Sequence, residues 1–561
     1  MMASEAHGTG TIHAPAPPAP PLPRTRARRW PARQLVVLLV VLLLGQLAAA
    51  MVTTAVRQTP TIDEPVYVVT ATDYLHEHRL RYNPEHPPLG KLLIAAGVAV
   101  ADPRYDPDFP GTQGDAGRHL LYESGNDPWR LMLWARLPVI ALTLLGGLVV
   151  FAFARDLAGR TAALVALALY AFSPDVIAHG SLATLDLPLT AFLLTSVWLA
   201  WRARDRPRLY VPLAGAALGA AAATKMSALP AIPLLMLLAA WSVWHARAGT
   251  GRRHRVLSAL AGAGTVLVVA VAVVWTAYLV VDPRLGFAPA EQVPPLAGKR
   301  ALVSGLLPLP PAYGAGLRTQ FALEYYPWEG FLFGRVYTGA LWYYLPVALL
   351  VKTPLGLLAL GTAGAVTVLA VPRLRPAAPY LLLPPALLLA VAMTGARDFG
   401  TRYALFVPVF LAMAGGCVTL WRRRWAGPLA GVLVLWVAVS SLRTFPYYLP
   451  YANEAFGGPA RTHRLLHDSN VDWGQDLGAL ADRLRERYPG ERVWLVYKGS
   501  GVPSYYGIRA ADPRTVPPER VRGLLVVSDS AVAKARGRLA ELIRTSRPVG
   551  EVGHSITLYE R

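Results

Sequence analysis

Apolar runs long enough to cross a lipid bilayer recur along most of this 561-residue chain. A transmembrane helix needs roughly 20 mostly apolar residues, and about eleven such runs are present. They cover residues 34–55, 131–153, 161–179, 185–202, 208–224, 227–245, 256–281, 340–370, 379–394, 403–420 and 426–442. The chain is 54% hydrophobic and only 16% charged, which excludes an ordinary soluble domain. The pattern predicts a polytopic α-helical membrane protein.

Two features of these runs refine the prediction. The first run is longer than the apolar core of a signal peptide and is followed by many others, so we expect a retained first helix. The eighth run is interrupted by Lys352, Thr353 and Pro354. Because proline removes a backbone donor and breaks a helix, this span is predicted to be tilted, kinked or split.

The basic residues are placed beside the apolar runs. The formal net charge is +21, but its clusters flank the predicted spans, at Arg24–Arg33, Arg202–Arg208, Arg247–Arg255, Arg373–Arg375 and Arg422–Arg424. With the amino terminus in the cytoplasm and about eleven spans, every cluster lies on the cytoplasmic side. The charge therefore indicates orientation, and no nucleic-acid partner is expected.

The same topology places three regions outside the membrane. These are the loop 56–130, the loop 282–339 and the stretch 443–561, while residues 1–33 form a Pro/Ala/Arg-rich tail that is predicted to be a disordered cytoplasmic segment. The last stretch alternates strand-like and helix-like segments, which predicts a small extracytoplasmic α/β domain. The single cysteine, Cys417, excludes a disulfide framework.

An acidic pair, Asp63 and Glu64, begins the first outer loop. A solvated loop pair is one interpretation. The other is a general base, since a carboxylate can accept the proton of an attacking hydroxyl. Sugar transfer from a phosphate ester needs one such base and a cation to stabilise the leaving phosphate.

Cations suited to that task occur at the predicted outer surface. Lys91 ends the motif HPPLGK, Lys225 lies in a turn between two spans, and Arg402 begins another span. Each is equally well interpreted as an interfacial anchor. Lys352 differs because it lies within an apolar run, where an ionisable side chain is expensive.

Other polar residues are weaker candidates. His179, Thr184 and Asp186 share an outer turn, where Asp186 is either a helix-start residue or a ligand for acceptor or sugar. His86 has no partner at metal-ligand spacing, so no metal is proposed there. Four aromatic residues are candidates for stacking on a sugar, or are ordinary belt residues: Tyr67, Tyr82, Trp328 and Tyr403.

A cluster near residue 470 holds Asp468, Asp472 and Asp476 but lacks the glycine and glutamate of an EF-hand loop. We expect no cofactor, and a divalent cation is the alternative left open.

Several motifs carry a family resemblance. DEPVY (63–67) followed by HPPLGK (86–91) resembles the first-loop signature of the protein O-mannosyltransferases, glycosyltransferase family 39 of the GT-C class. Later segments resemble patches of its bacterial branch: AHGSLATLDLPLTAF, AAATKMSALP, RYALFVPVF, YANEAFGGP and DSNVDWGQDL. The resemblance spans residues 62 to 477. It implies a GT-C fold in a bacterial plasma membrane.

The resemblance also implies an activity. The donor would be a polyprenyl phosphate monosaccharide, used on the outer face with inversion, and the sugar would be mannose. Asp63 would be the base with Glu64 assisting, while Lys91, Arg402 and Lys225 would contact the donor phosphate. His86, Asp186, Tyr67, Tyr82 and Tyr403 would bind sugar or acceptor.

The acceptor is left open because the chain lacks the β-trefoil insert of the eukaryotic enzymes. A protein, a lipid or a cell-wall glycan are all compatible with the sequence. Two rival functions are a lipid or solute transporter, for which Lys352 is the main evidence, and a non-catalytic membrane protein that binds cell-wall material.

Overall fold

A computed structural model describes residues 32–295, 305, 308–421 and 423–561. Nearly all of the predicted amino-terminal tail (1–33), part of the loop 282–339 and Arg422 lie outside the described residues.

Helices occupy every one of the predicted membrane spans. In chain order they are α1 (Ala32–Arg57), α2 (Glu64–His76), α3 (Leu89–Ala101), α4 (Gln113–Tyr122), α5 (Pro128–Ala158), α6 (Arg160–Ala171), α7 (Pro174–Gly180), α8 (Asp186–Arg202), α9 (Pro207–Thr224), α10 (Ala231–Ala246), α11 (Arg252–Val281), α12 (Pro311–Leu323), α13 (Tyr344–Lys352), α14 (Leu355–Ala370), α15 (Ala378–Leu381), α16 (Leu383–Ala392), α17 (Phe406–Gly416), α18 (Ala426–Thr444), α19 (Leu477–Arg487), α20 (Asp529–Ala533) and α21 (Gly537–Arg544).

Five helical segments of the described chain are long and apolar enough to cross a membrane by themselves, and seven are if each of two bent pairs is counted as one span. The protein is therefore a multi-pass membrane protein. The other predicted spans fall on shorter or less apolar helices, such as α8, α10 and α17, so the total of about eleven stays a prediction.

The predicted break at Lys352–Pro354 is confirmed as a split. Helices α13 and α14 meet at an angle of 117° around this point. Proline at 354 cannot continue the hydrogen-bond ladder of α13, so the chain turns before α14 begins. Lys352 is held in this elbow, and its ammonium donates to the carbonyl oxygens of Leu449 (2.5 Å) and Asn470 (3.0 Å).

The stretch Leu89–Ala101, too short to span a bilayer, forms the helix α3. Gly97 brings it against α5 so closely that a Cβ atom would overlap the backbone carbonyl of Trp134. This contact fixes the position of α3 against α5, and with it the position of the turn at residues 83–88 that precedes α3.

The carboxyl-terminal region contains a five-stranded mixed sheet in the order β4-β3-β5-β7-β6. Its strands are β3 (Val493–Val496), β4 (Ala510–Ala511), β5 (Leu524–Ser528), β6 (Arg547–Val552) and β7 (Ile556–Glu560), and a separate hairpin joins β1 (Glu329–Leu332) to β2 (Arg335–Thr338). β3 and β5 are parallel neighbours. The apolar faces of the sheet pack on α19 and α21 through Leu480, Leu484 and Leu542 among others.

The segment between the last membrane helix and this sheet is paired with the first outer loop. The amides of Thr59 and Ile62 donate to the carbonyls of Gln475 (2.9 Å) and Trp473 (3.0 Å). The hydroxyl of Thr59 donates to the Gln475 carbonyl as well, at 2.8 Å. The chain just before Asp63 is therefore fixed by residues more than 400 positions away. The domain boundary at residue 443 stays a prediction.

The orientation can be tested with introduced cysteines, because the only native cysteine, Cys417, is fully buried. In a Cys417→Ala background we expect Arg520→Cys to react with a membrane-impermeant maleimide on intact cells. Thr250→Cys is expected to react only after permeabilisation. Both positions are exposed to solvent in the fold. Labelling of Thr250→Cys on intact cells would contradict the predicted topology.

Candidate active site

A cavity of about 1290 Å³ opens between the first outer loop, the membrane helices and the carboxyl-terminal region. One part of its wall is apolar and comes from four helices, with Leu193 on α8, Ala231 on α10, Leu388 on α16 and Phe406 on α17. Other lining residues are charged, among them Asp63, Arg397 and Arg402. A cavity with this division suits a ligand with a polar head and an apolar tail.

Asp63 lies on the wall of this cavity, immediately before the first turn of α2. Its carboxylate oxygen accepts a hydrogen bond from Arg402 Nη1 at 2.6 Å. The Asp63 side chain is 28% exposed and that of Arg402 is 10% exposed. The cavity therefore contains a carboxylate that reaches solvent and a cation directly beside it.

Glu64 faces the opposite way. Its side chain and that of Arg136 are both completely buried, and their closest N–O distance is 2.7 Å. The Glu64 carboxylate also accepts from the amides of Thr61 (2.8 Å) and Ala183 (2.7 Å). Burial raises the pKa of Glu64, but the charge and hydrogen bonds of Arg136 and the two amides hold that pKa below its usual value. A carboxylate satisfied in this way is a structural anion.

Arg136 uses its remaining donors on the end of α1 and the start of the first loop. Its guanidinium donates to the carbonyl oxygens of Ala55 (2.6 Å), Gln58 (2.8 Å) and Thr59 (3.1 Å). Arg136 lies in an apolar run and belongs to none of the motifs. A lone arginine within a predicted span was the available signal, because such residues usually have a buried partner.

A second ion pair, Lys225–Asp186, lies near the Asp63–Arg402 pair, with Lys225 on the cavity wall and Asp186 outside the lining. Lys225 lines the wall and its ammonium contacts the carboxylate of Asp186, at the amino-terminal end of α8. The ring of Tyr403 lies beside both cations, 5.2 Å from Lys225 Nζ and 5.0 Å from Arg402 Cζ. The structure thus brings Asp63, Lys225 and Arg402 to one cavity.

Lys91 lies behind this wall and is fully buried. Its ammonium donates to the carbonyl oxygens of Asn83 (2.8 Å) and His86 (2.6 Å). The turn NPEHPP is wrapped around it, because two prolines and a positive φ at Asn83 leave carbonyls that no helix satisfies. In this structure Lys91 holds the turn and does not line the cavity.

His86 and Tyr67 line the cavity beside this turn, with ring centroids 6.0 Å apart. Burial lowers the pKa of His86 well below its usual value, and the nearby positive charges of Lys225 and Lys91 lower it further. His86 is therefore a neutral hydrogen-bonding group. Tyr82 is buried outside the cavity wall, and so are His179 and Thr184.

The cavity also contains several residues that belong to none of the sequence motifs. Arg397 donates to Glu324 (3.0 Å) and to Gln320 (2.6 Å), and all three line the cavity together with Trp328, the predicted stacking residue. Lys498 reaches the cavity from the loop after β3. These side chains come together only through the tertiary fold, so no local motif could have indicated them.

The three acids near residue 470 each have their own partner. Asp468 is paired with Lys498, Asp472 accepts from the amide of Ser530 (3.1 Å), and Asp476 accepts from the hydroxyl of Ser555 (2.7 Å). Within the described ranges no group of three or more His, Cys, Asp or Glu side chains has a metal-binding arrangement.

Comparison with known proteins gives one family match. Residues 39–281 match the family model of dolichyl-phosphate-mannose-protein mannosyltransferases. This confirms the resemblance over that segment, which contains Asp63, Glu64, Lys91 and Lys225. No curated protein sequence matches the chain.

Comparison with solved structures also gives matches. ArnT from Cupriavidus metallidurans bound to undecaprenyl phosphate is 17% identical with a TM-score of 0.49, covering 94% of this chain and 98% of its own. The Archaeoglobus fulgidus oligosaccharyltransferase in its apo form is 12% identical with a TM-score of 0.44, covering 92% and 73%. The S. cerevisiae Pmt1–Pmt2 complex bound to the sugar donor is 19% identical with a TM-score of 0.33, covering 45% and 35%.

The buried ion pair between Glu64 and Arg136 predicts that removing one charge destabilises the protein more than removing both. Arg136→Met is expected to lower the free energy of unfolding by about 3–5 kcal/mol, because it leaves the Glu64 carboxylate buried without a counter-charge. The double variant Glu64→Gln/Arg136→Met is expected to lose less, since no charge is then buried. Thermal unfolding in detergent, followed by tryptophan fluorescence, measures both. Equal losses in the two variants would show that the ion pair does not account for the effect.

Proposed function

We propose that this chain is an integral-membrane glycosyltransferase that transfers a monosaccharide from a polyprenyl phosphate to an acceptor hydroxyl, on the outer face of the membrane and with inversion. The observation that carries the proposal is the contact between Asp63 and Arg402 in a cavity with one apolar wall. The description of the matching family supports a lipid phosphate donor, and mannose as its sugar.

The donor fits the cavity by its chemistry. Its phosphate would bind Arg402 and Lys225, the two cations that flank Tyr403. Its polyprenyl chain would lie along the apolar wall between α8, α10, α16 and α17. The sugar would then extend toward Asp63, with His86 and Trp328 lining the remaining space.

The reaction needs one proton transfer and one bond exchange. Asp63 accepts the proton of the acceptor hydroxyl as its oxygen attacks the anomeric carbon from the face opposite the phosphate. The bond between the anomeric carbon and the phosphate oxygen breaks, and polyprenyl phosphate leaves with both electrons. Arg402 and Lys225 stabilise the charge that develops on the leaving group.

The ion pair also links donor binding to activation of the base. In the structure the Asp63 carboxylate accepts a hydrogen bond from Arg402 at 2.6 Å, so its oxygen is occupied by the guanidinium. A phosphate that binds Arg402 competes for the same N–H groups and frees Asp63 for the acceptor hydroxyl. The base therefore becomes effective only when a donor is in place.

The rival functions have less support. A transporter needs ionisable groups near the middle of the membrane that can change partners. Lys352 is paired with Asp175 at 3.5 Å and bonded to two backbone carbonyls, so it belongs to the fixed packing of the elbow. A protein that only binds cell-wall material has no need of a base and a phosphate-binding cation in one lipid-accessible cavity.

Substitution of Asp63 separates binding from catalysis. We expect Asp63→Asn to transfer sugar at least about 100-fold more slowly than wild type, the loss typical of a missing general base. The same variant should bind undecaprenyl phosphate at least as tightly as wild type, because Arg402 loses its competing carboxylate. Arg402→Gln should bind it more weakly. Radiolabel transfer from polyprenyl phosphate mannose and lipid-induced thermal stabilisation measure the two properties.

Asp108→Asn is the matched control, since this exposed carboxylate lies in the same outer loop but outside the cavity wall. It should behave as wild type in both assays. Full transfer by purified Asp63→Asn would remove Asp63 as the base, and an unchanged lipid affinity in Arg402→Gln would remove Arg402 as the phosphate ligand.

A further inference from the structure

The carboxyl-terminal sheet presents a particular edge to the cavity. β3 and β5 are parallel neighbours, so their carboxyl ends lie at the same edge of the sheet. In open α/β sheets this is the edge at which ligands bind. Lys498 lies two residues after β3, and Lys534 directly follows α20, the short helix that begins where β5 ends. These are two of the six lysines in the chain.

Hydrogen bonds attach this edge to the first outer loop. The hydroxyl of Ser500 donates to the carbonyl of Thr61 at 2.9 Å, two residues before Asp63. The hydroxyl of Tyr497 donates to the carbonyl of Gly474 at 2.7 Å. The loop 498–500 consequently forms part of the cavity wall. The sheet is thus built into the candidate active site.

The two lysines at this edge have different partners. Lys498 is paired with Asp468. Burial raises the pKa of this carboxyl, but the charge and hydrogen bond of Lys498, together with His467 and Arg402, lower it to about 2, so the acid stays ionised. Lys534 donates to the backbone carbonyl of Glu329 at 2.6 Å, whereas the carboxylate of Glu329 is held by Arg536 at 2.7 Å. No carboxylate in the described part of the chain lies within salt-bridge distance of Lys534.

Lys534 also faces the cavity wall. Its ammonium lies 5.8 Å from the ring centroid of Phe399, a residue that lines the cavity. Both ammonium groups therefore lie on this side of the cavity, with the Asp468 carboxylate beside Lys498. The nearby acids Asp472 and Asp529 are buried and accept hydrogen bonds from Ser530 and Thr557. In the proposed reaction Arg402 and Lys225 bind the donor phosphate. Lys498 and Lys534 are therefore available to the acceptor.

We propose that Lys498, with Lys534 adding a second positive charge behind it, forms a binding site for an oxyanion of the acceptor, a phosphate or carboxylate close to the hydroxyl that attacks. The acceptor is then an anionic envelope glycan or glycolipid. This inference rests on the proposed glycosyl transfer and names the acceptor side of the same cavity.

The test uses the full-length protein in membranes that contain the natural acceptor, with radiolabelled undecaprenyl phosphate mannose as the donor. Lys498→Met is expected to lower incorporation of label by about tenfold or more, the loss typical of one charge-assisted hydrogen bond. Lys498→Arg should recover part of it. Stabilisation by undecaprenyl phosphate should be unchanged in Lys498→Met, which separates the acceptor side from the donor side.

Two further variants make the result decisive. Arg536→Gln removes an exposed cation of the same edge that points away from the cavity, and it should incorporate label as wild type does. Lys498→Met/Asp468→Asn removes both charges of the pair, so a loss of incorporation in this variant does not stem from an uncompensated buried acid. Incorporation within twofold of wild type in Lys498→Met and in this double variant would overturn the inference.

The product gives an independent readout. The labelled material should bind an anion-exchange resin at neutral pH, and label found in protein or in a neutral glycan would overturn the inference. Aqueous hydrofluoric acid cleaves phosphate esters and spares carboxylates, so it assigns the anion to one of the two sources. Absence of label from every fraction of wild-type membranes would instead overturn the proposed glycosyl transfer itself.

Discussion

The buried ion pair between Glu64 and Arg136 holds together the segments that make the site. Arg136 on α5 donates to carbonyls at the end of α1 and in the first loop, while Glu64 at the start of α2 accepts the amide of Ala183, before α8. Burying both charges is expensive unless every donor and acceptor is satisfied, and here the guanidinium and the carboxylate have partners on all sides. The pair therefore fixes the loop from which Asp63 faces the cavity.

Adjacent acids consequently have opposite roles. Asp63 and Glu64 are neighbours in sequence, yet one lines the cavity beside Arg402 and the other has no exposed surface. The carboxyl-terminal region adds the second constraint, because its pairing with Thr59 and Ile62 aligns the residues just before Asp63. An acid, two cations and an apolar groove meet only because the first loop is held from the membrane side and from the outer side at once.

Much of the fold could be predicted from the sequence, because apolar runs and their basic flanks report local properties. The helices at the predicted spans, the split at Pro354 and the strands around 493 and 524 are of this kind. Of the candidate site, Asp63, Lys225 and Arg402 were indicated by residue type at the membrane surface. Lys91 is a residue whose contacts the sequence does not indicate. Its charge is that of a phosphate ligand, but in the structure its ammonium donates hydrogen bonds to carbonyls of the turn that surrounds it. Arg397 and Lys498 depend on tertiary contacts.

The most direct test of this account is a structure of the protein with undecaprenyl phosphate bound. We predict that the phosphate lies on Arg402 and Lys225 and that the lipid chain follows the wall between α8, α10, α16 and α17. The distance between Asp63 and Arg402 should then be longer than the 2.6 Å of the present structure. A lipid bound elsewhere, with the Asp63–Arg402 contact intact, would contradict the account.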